Sequence, residues 1–109
     1  MHMNREANYS IRSDQQVLAF LGHLRAERGL SANTIAAYRN DLNQFVSTIS
    51  SPGINFSWDR LGRESIQEYY ANLQVHDYAQ STVARKIGAI RSLFRFLLEE
   101  GIVKENLTG

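Results

Sequence analysis

Apolar residues recur at helical spacing in four stretches of the chain, each bounded by turn-forming residues. Residues 1–12 are polar and without periodicity and read as a flexible leader. Ser13 is followed three residues later by Gln16, a capping-box signal. Val17, Leu18, Leu21 and Leu24 then share a helical face, which predicts a first helix from about Asp14 to Arg28, stopped by Gly29. Ser31 is the expected cap of a second helix, whose stripe is Ile35, Tyr38, Leu42, Phe45 and Ile49. Ser50-Ser51-Pro52-Gly53 ends it, and Ile54 to Gly62 reads as a loop anchored by Ile54, Phe56, Trp58 and Leu61. A third helix is predicted over about Arg63 to Gln74, with Ile66, Tyr70 and Leu73 inward. After a short connection, Ser81 is the expected cap of a fourth, whose apolar face is Val83, Ile87, Ile90, Phe94, Leu97 and Leu98. Gly101 stops it, and residues 104–109 read as the start of a linker.

No segment alternates at period two over a useful length. The predicted fold class is therefore all-α, a compact bundle of four main helices built as two helical hairpins, with residues 13–103 as its domain. The halves rhyme. Ser31-Ala32-Asn33-Thr34-Ile35 opens the second helix and Gln80-Ser81-Thr82-Val83 the fourth, a pseudo-symmetry too short to establish a repeat.

Composition narrows the function. A chain of 109 residues that is 43% hydrophobic suits one globular domain. It has no cysteine, so neither a disulfide framework nor a thiolate metal site exists, which fits a reducing cytoplasm. His2, His23 and His76 are too scattered for a metal-ligand pattern, and there is no phosphate-cradling glycine loop. No cofactor, metal or small-molecule substrate is expected. No signal peptide is evident, and no apolar run approaches the ~20 residues of a membrane span. A nucleophilic tyrosine needs cations around a scissile phosphate, and none of Tyr9, Tyr38, Tyr69, Tyr70 and Tyr78 has such a set in view. No catalytic residue is assigned.

The net charge is only +1, so a nucleic-acid partner has to be argued from a local patch. Between Thr82 and Leu98 the fourth helix carries Arg85, Lys86, Arg91 and Arg95 and no acid, leaving −3 for the rest of the chain. On a helical wheel Arg85 and Arg95 project away from the apolar face, with Lys86 and Arg91 flanking it. Such asymmetry suits a surface that tracks phosphates. Asn33 and Thr34 lie in the first turn of the second helix, and Ser81 and Thr82 at the start of the fourth. Helix N-termini offer free N–H groups to phosphate oxygens, and Asn, Ser and Thr also reach base edges. Plain capping is the competing role for Ser31 and Ser81.

Gly29-Leu30-Ser31-Ala32-Asn33-Thr34-Ile35-Ala36-Ala37-Tyr38-Arg39-Asn40-Asp41-Leu42, continuing to Phe45, resembles a signature of tyrosine recombinases of the Xer and phage-integrase type. The run from Ser81 through Arg85-Lys86-Ile87-Gly88-Ala89-Ile90-Arg91-Ser92 to Leu97 is similar to that family's second signature, and Glu100-Gly101-Ile102-Val103 with Asn106 to its domain end. The resemblance covers about Ser13 to Asn106. It departs where the family has Asn-Pro and this chain has Asn106-Leu107.

The resemblance implies a SAM-like core-binding domain that forms half of a clamp around double-stranded DNA. Its second and fourth helices would face the major groove. Matched by position, the contacts fall at Asn33, Thr34 and Ala37 and at Ser81 and Arg85, with Lys86 and Arg91 as phosphate contacts or packing supports. A separate C-terminal domain would cut and rejoin strands through a phosphotyrosyl intermediate, so this stretch is expected to bind DNA without catalysing. Other recombinase protomers on the DNA and a cytoplasmic, nucleoid-associated location are implied with it. The residues alone leave two alternatives. One is a helical protein-interaction module without DNA affinity, and the other is a helix-turn-helix repressor, for which the turns look too long.

Overall fold

Among the described residues, four α-helices make up the secondary structure of the computed structural model, apart from a 3-10 turn at Trp58–Arg60. The structure describes the backbone of residues 2–50 and 57–108, and the side chains of those from residue 15 onward except Asp59. The Ser51-Pro52-Gly53 breaker, the anchors Ile54 and Phe56, and Tyr9 lie outside the described residues or side chains. No strand occurs among the described residues, so the all-α expectation holds. The chain divides into two compact units, residues 1–57 and 58–109, each built on one pair of helices.

In the first unit, α1 (His2–Arg28) and α2 (Ala32–Ile49) are joined by three residues. Gly29 sits at φ +62°, the left-handed conformation that ends a helix cheaply only without a side chain. Arg25 and Arg28 occupy the last turn of α1, where the helix dipole favours cations. Val17, Phe20, Leu21 and Leu24 are its buried stripe. Phe20 takes the place expected for Leu18, which is 48% exposed. At 100° per residue Leu18 lies well off the arc that runs from Phe20 to Leu21. The helix also begins at His2 rather than near Asp14, so Ser13 is inside it and does not cap it. The polar stretch holds neither Gly nor Pro to break a helix, and only the lack of an apolar stripe suggested a later start.

In α2 the Ser31 cap is observed. Its hydroxyl oxygen accepts from the Thr34 N–H at 3.2 Å. Leu42, Phe45 and Val46 are buried, while Ile35, Tyr38 and Ile49 are half-buried. Asp41 is fully buried as well, at 1% exposure.

The second unit opens at Trp58, which is buried and meets Phe94 edge-on at 5.8 Å between ring centres. Then come α3 (Arg63–Val75) and α4 (Gln80–Glu99). Ile66, Tyr69 and Leu73 are the buried residues of α3, so Tyr69 holds the core position expected of Tyr70. Helix α4 starts at Gln80 from an Ala79 boundary without a side-chain cap. The Ala79 carbonyl accepts from Thr82 N–H at 3.0 Å and Val83 N–H at 3.1 Å. Ser81 is therefore inside the first turn and is not the cap. The far end closes as a Schellman motif, with Ile102 N–H donating to Leu97 O at 2.9 Å and Gly101 N–H to Leu98 O at 3.0 Å. Gly101 supplies the positive φ of 75° that the motif needs.

Beyond that motif the chain turns back. Val103 and Leu107 are buried and line a cavity of about 220 Å³ with Trp58 and Leu61. Leu107 thus packs at the position where the resembled family has proline. Asn106 Oδ1 accepts from both the N–H and the hydroxyl of Thr108.

Two changes separate backbone from packing effects. Gly29→Ala is expected to lower the unfolding free energy by about 1 kcal/mol, because it forces a Cβ into the left-handed region. Gly88→Ala is expected to raise it by about 0.5–1 kcal/mol. It sits mid-helix, and nothing lies within 4 Å of a Cβ added there. Urea midpoints measured against wild type check both signs. Phe94→Ala removes a fully buried ring and its Trp58 contact and is expected to cost about 3–5 kcal/mol in the same titration.

Candidate nucleic-acid interface

The rotation of α4 about its axis follows from what it buries. Val83, Lys86, Ala89, Ile90, Leu93, Phe94, Phe96 and Leu97 are all buried. On a wheel of 100° per residue they cover an arc of about 160°. The opposite arc, about 120° wide, runs from Arg91 through Ala84, Arg95, Gly88, Ser81 and Ser92 to Arg85. The three arginines on it are exposed, as are Ser81 and Ala84, and Gly88 and Ser92 are half-buried. Between Gln80 and Leu98 this arc bears no acid. Arg85 and Arg95 stand ~15 Å apart along the axis. The surface is a cationic rail with small residues between the arginines, so a polyanion can approach the helix closely.

Lys86 is not on that rail. It lies near the middle of the buried arc at 7% exposure, with its ammonium 5.0 Å from the centre of the Tyr78 ring. Of its two expected roles, the structure favours packing support over phosphate contact. A cation–π contact suits a cation withdrawn from water, since the ring face offers negative potential without a second charge. Tyr78 in turn stacks on His76 at 5.5 Å and 15° between planes, and the His76 Nδ1–H donates to the Asn72 carbonyl at 2.7 Å. The α3–α4 connection is thus braced from below the start of α4.

Arg91 is at the other edge of the exposed arc, next to α3. The Tyr70 hydroxyl oxygen is buried and has no hydrogen-bond partner among the described residues. Burial pushes the Tyr70 phenol above its usual pKa of 10.0, and the neighbouring Arg91 charge pulls partly the other way.

On α2, Asn33 is exposed in the first turn, and Ala37, one turn on, is half-exposed. Thr34 is half-exposed, and its hydroxyl accepts from Ser31 at 3.0 Å, so part of its hydrogen-bonding capacity serves the cap. Thr82 is likewise half-exposed in the first turn of α4. The sequence reading passed over Asn40, which is exposed and lies on the Asn33 side of α2, and the half-exposed Gln44 beside it. It also passed over Ala84, Gly88 and Ser92 on α4. A wheel for α2, drawn as for α4, finds the first two. Small residues carry no charge signal, and only their place between arginines gives them meaning.

Among the described residues no group of three or more His, Cys, Asp or Glu side chains could hold a metal ion, and no helix is long and apolar enough to cross a membrane.

Comparisons with known proteins agree on one family. No solved structure matches the chain. It is 44% identical over 95 residues to the tyrosine recombinase XerC of Roseiflexus castenholzii, covering 87% of this chain and 30% of that protein. It is 42% identical over 94 residues to XerC of Herpetosiphon aurantiacus, covering 86% and 30%. Against XerC of Natranaerobius thermophilus the identity is 36% over 94 residues, covering 86% and 31%. The chain thus spans about 30% of the length of these relatives. Residues 17–101 match the profile described as "Phage integrase, N-terminal SAM-like domain", and the chain belongs to that family.

Proposed function

We propose that this chain is the DNA-binding N-terminal part of a site-specific tyrosine recombinase, and that it grips the duplex beside the exchange site. Residues 13–103 form the binding domain in this reading. Strand cleavage and rejoining belong to the length of such recombinases that this chain does not span, and further protomers assemble on the same DNA inside the cell. The observation that carries the reading is the exposed arc of α4 that bears Arg85, Arg91 and Arg95 and meets no acid before Glu99 in its last turn. Helix α4 has the width to enter a major groove. Arginines along one side meet phosphates there, while Ser81 and Thr82 at its start reach phosphates or base edges. Asn33, Thr34 and Ala37 make the equivalent contacts from the start of α2. The protein-interaction alternative needs a contiguous apolar patch. Among the described residues the exposed large hydrophobics are Leu18, Val75 and Leu98, on three different helices. Val75 precedes the start of α4, and Leu98 is ~27 Å along that helix.

The chain is expected to bind non-specific duplex DNA with Kd of ~10⁻⁴ to 10⁻⁶ M and to weaken steeply with salt. In fluorescence-anisotropy titrations between 50 and 200 mM salt, Arg85→Ala/Arg95→Ala should lower the slope of log K against log salt by about 2, since each phosphate contact contributes about 0.9. Unchanged affinity and slope in that variant, or no binding by wild type together with self-association on a sizing column, would sink the reading in favour of the interaction module. Lys86→Met, which keeps the stem over Tyr78, should leave the salt slope as it is. A drop of about one would return Lys86 to the phosphate-contacting set.

A further inference from the structure

We infer that α2 is a sequence-reading helix, with Asn33 and Asn40 each recognising an adenine in the major groove and Ala37 lying against a thymine methyl. The inference rests on the DNA-binding reading and deepens it, adding Asn40 and naming the base. It starts from the chemistry of the exposed side of α2. Among the 18 residues of that helix only Arg39 and Asp41 are charged, and Asp41 is 1% exposed. Asn33, Asn40 and Asn43 are exposed instead, and Gln44 is half-exposed. The exposed residues of α1 and α3 include charges such as Arg25, Glu27, Glu64 and Glu68. Asparagine is a poor helix former, and lysine or glutamate would serve a merely solvated face better. A face of amides with one charge at its edge suits hydrogen bonding to neutral base edges more than the gathering of phosphates.

The amides are also in register. At 100° per residue Asn33 and Asn40 stand about 20° apart, nearly opposite the buried arc of Asp41, Leu42, Phe45 and Val46. They are ~10 Å apart along the axis, about three base-pair steps of ~3.4 Å. Ala36 and Ala37 lie between them, one on each side of the line, so the helix can come close to the base edges. Further along, Thr48 donates its hydroxyl to the Gln44 carbonyl at 2.8 Å and is spent on its own helix. Adenine presents the N7 acceptor and the N6–H donor side by side. An asparagine amide matches both, its N–H donating to N7 and its oxygen accepting from N6–H. Guanine presents two acceptors there, which leaves the amide oxygen without a donor. The Ala37 methyl fits the C5-methyl of a thymine. The element read is therefore two A·T pairs about three steps apart.

The test selects binders of the whole chain from 20-base-pair duplexes with a randomised centre, then titrates an enriched duplex by anisotropy. Wild type is expected to enrich A·T pairs at two positions about three apart. Asn33→Ala should lose the preference at one position and Asn40→Ala at the other. Each should bind the enriched duplex about tenfold more weakly. The salt slope should not move, because no phosphate contact is lost. Thermal unfolding of Asn40→Ala should occur at the wild-type Tm or above it, alanine being the better helix former. Placing 7-deazaadenine, which lacks N7 but still pairs, at one of the two positions should weaken wild type and leave the matching variant unaffected. Salt-dependent binding without enrichment, enrichment of G·C pairs, or an unchanged preference in both variants would overturn the inference and leave the DNA-binding reading standing. No binding to any duplex of the pool would overturn both.

Discussion

Everything proposed for the surface depends on how α4 is rotated about its own axis. Leu93, Phe94, Ile90 and Leu97 are fully buried, and with Trp58 set edge-on against Phe94 they leave the helix one orientation in its unit. Turning it by one residue, 100°, would carry Lys86 or Leu93 toward water and drive an arginine into the core. Each buried side chain of this size is worth roughly 1.5–3 kcal/mol, so the rotation is strongly specified. The arginine rail is the other side of that constraint. The helix that carries it is fixed from beneath by those side chains.

The four cations of α4 show how the same residue types separate by position. Lys86 and Arg85 are neighbours in sequence and 100° apart on the wheel, which is enough to put one in the core and the other in solvent. A lysine at 7% exposure avoids a prohibitive desolvation cost only with a partner, and the Tyr78 face is one. Tyr78 is itself stacked on His76, so Lys86 packs against the turn from which α4 begins.

The sequence made the helices legible because long apolar periodicity is a strong signal, and the Ser31 cap with the two helix-ending glycines followed local rules. What it concealed was finer than an element. Leu18 and Phe20 both fit an apolar stripe loosely, and only packing decides which turns in. Tyr69 and Tyr70 pose the same problem in α3. The Ser81 cap failed because Ala79, with extended backbone and a well-placed carbonyl, already starts α4. Helical backbone from His2 could not be seen by a method that looks for a buried face. Of the candidate site, the exposed arginines were legible from charge alone. Lys86 was assigned to the edge of the apolar face because the wheel was centred on Val83, Ile87 and Phe94. The buried arc is wider and centred elsewhere, and its extra width comes from Ala89, Leu93 and Phe96.

The chain's net charge of +1 gives the rail its physical character. With three exposed arginines counted apart, the remaining chain sums to −2, so at long range a duplex meets almost no attraction. The arginines act only at close quarters, within about one Debye length of ~8 Å at physiological salt. A surface of this kind cannot rely on a diffuse field and has to place its few charges well. That places value on Ala84, Gly88 and Ser92, which let a phosphate backbone come near enough to feel those charges. Affinity on such a surface comes from geometry first, and each displaced arginine costs more than it would on a strongly basic protein.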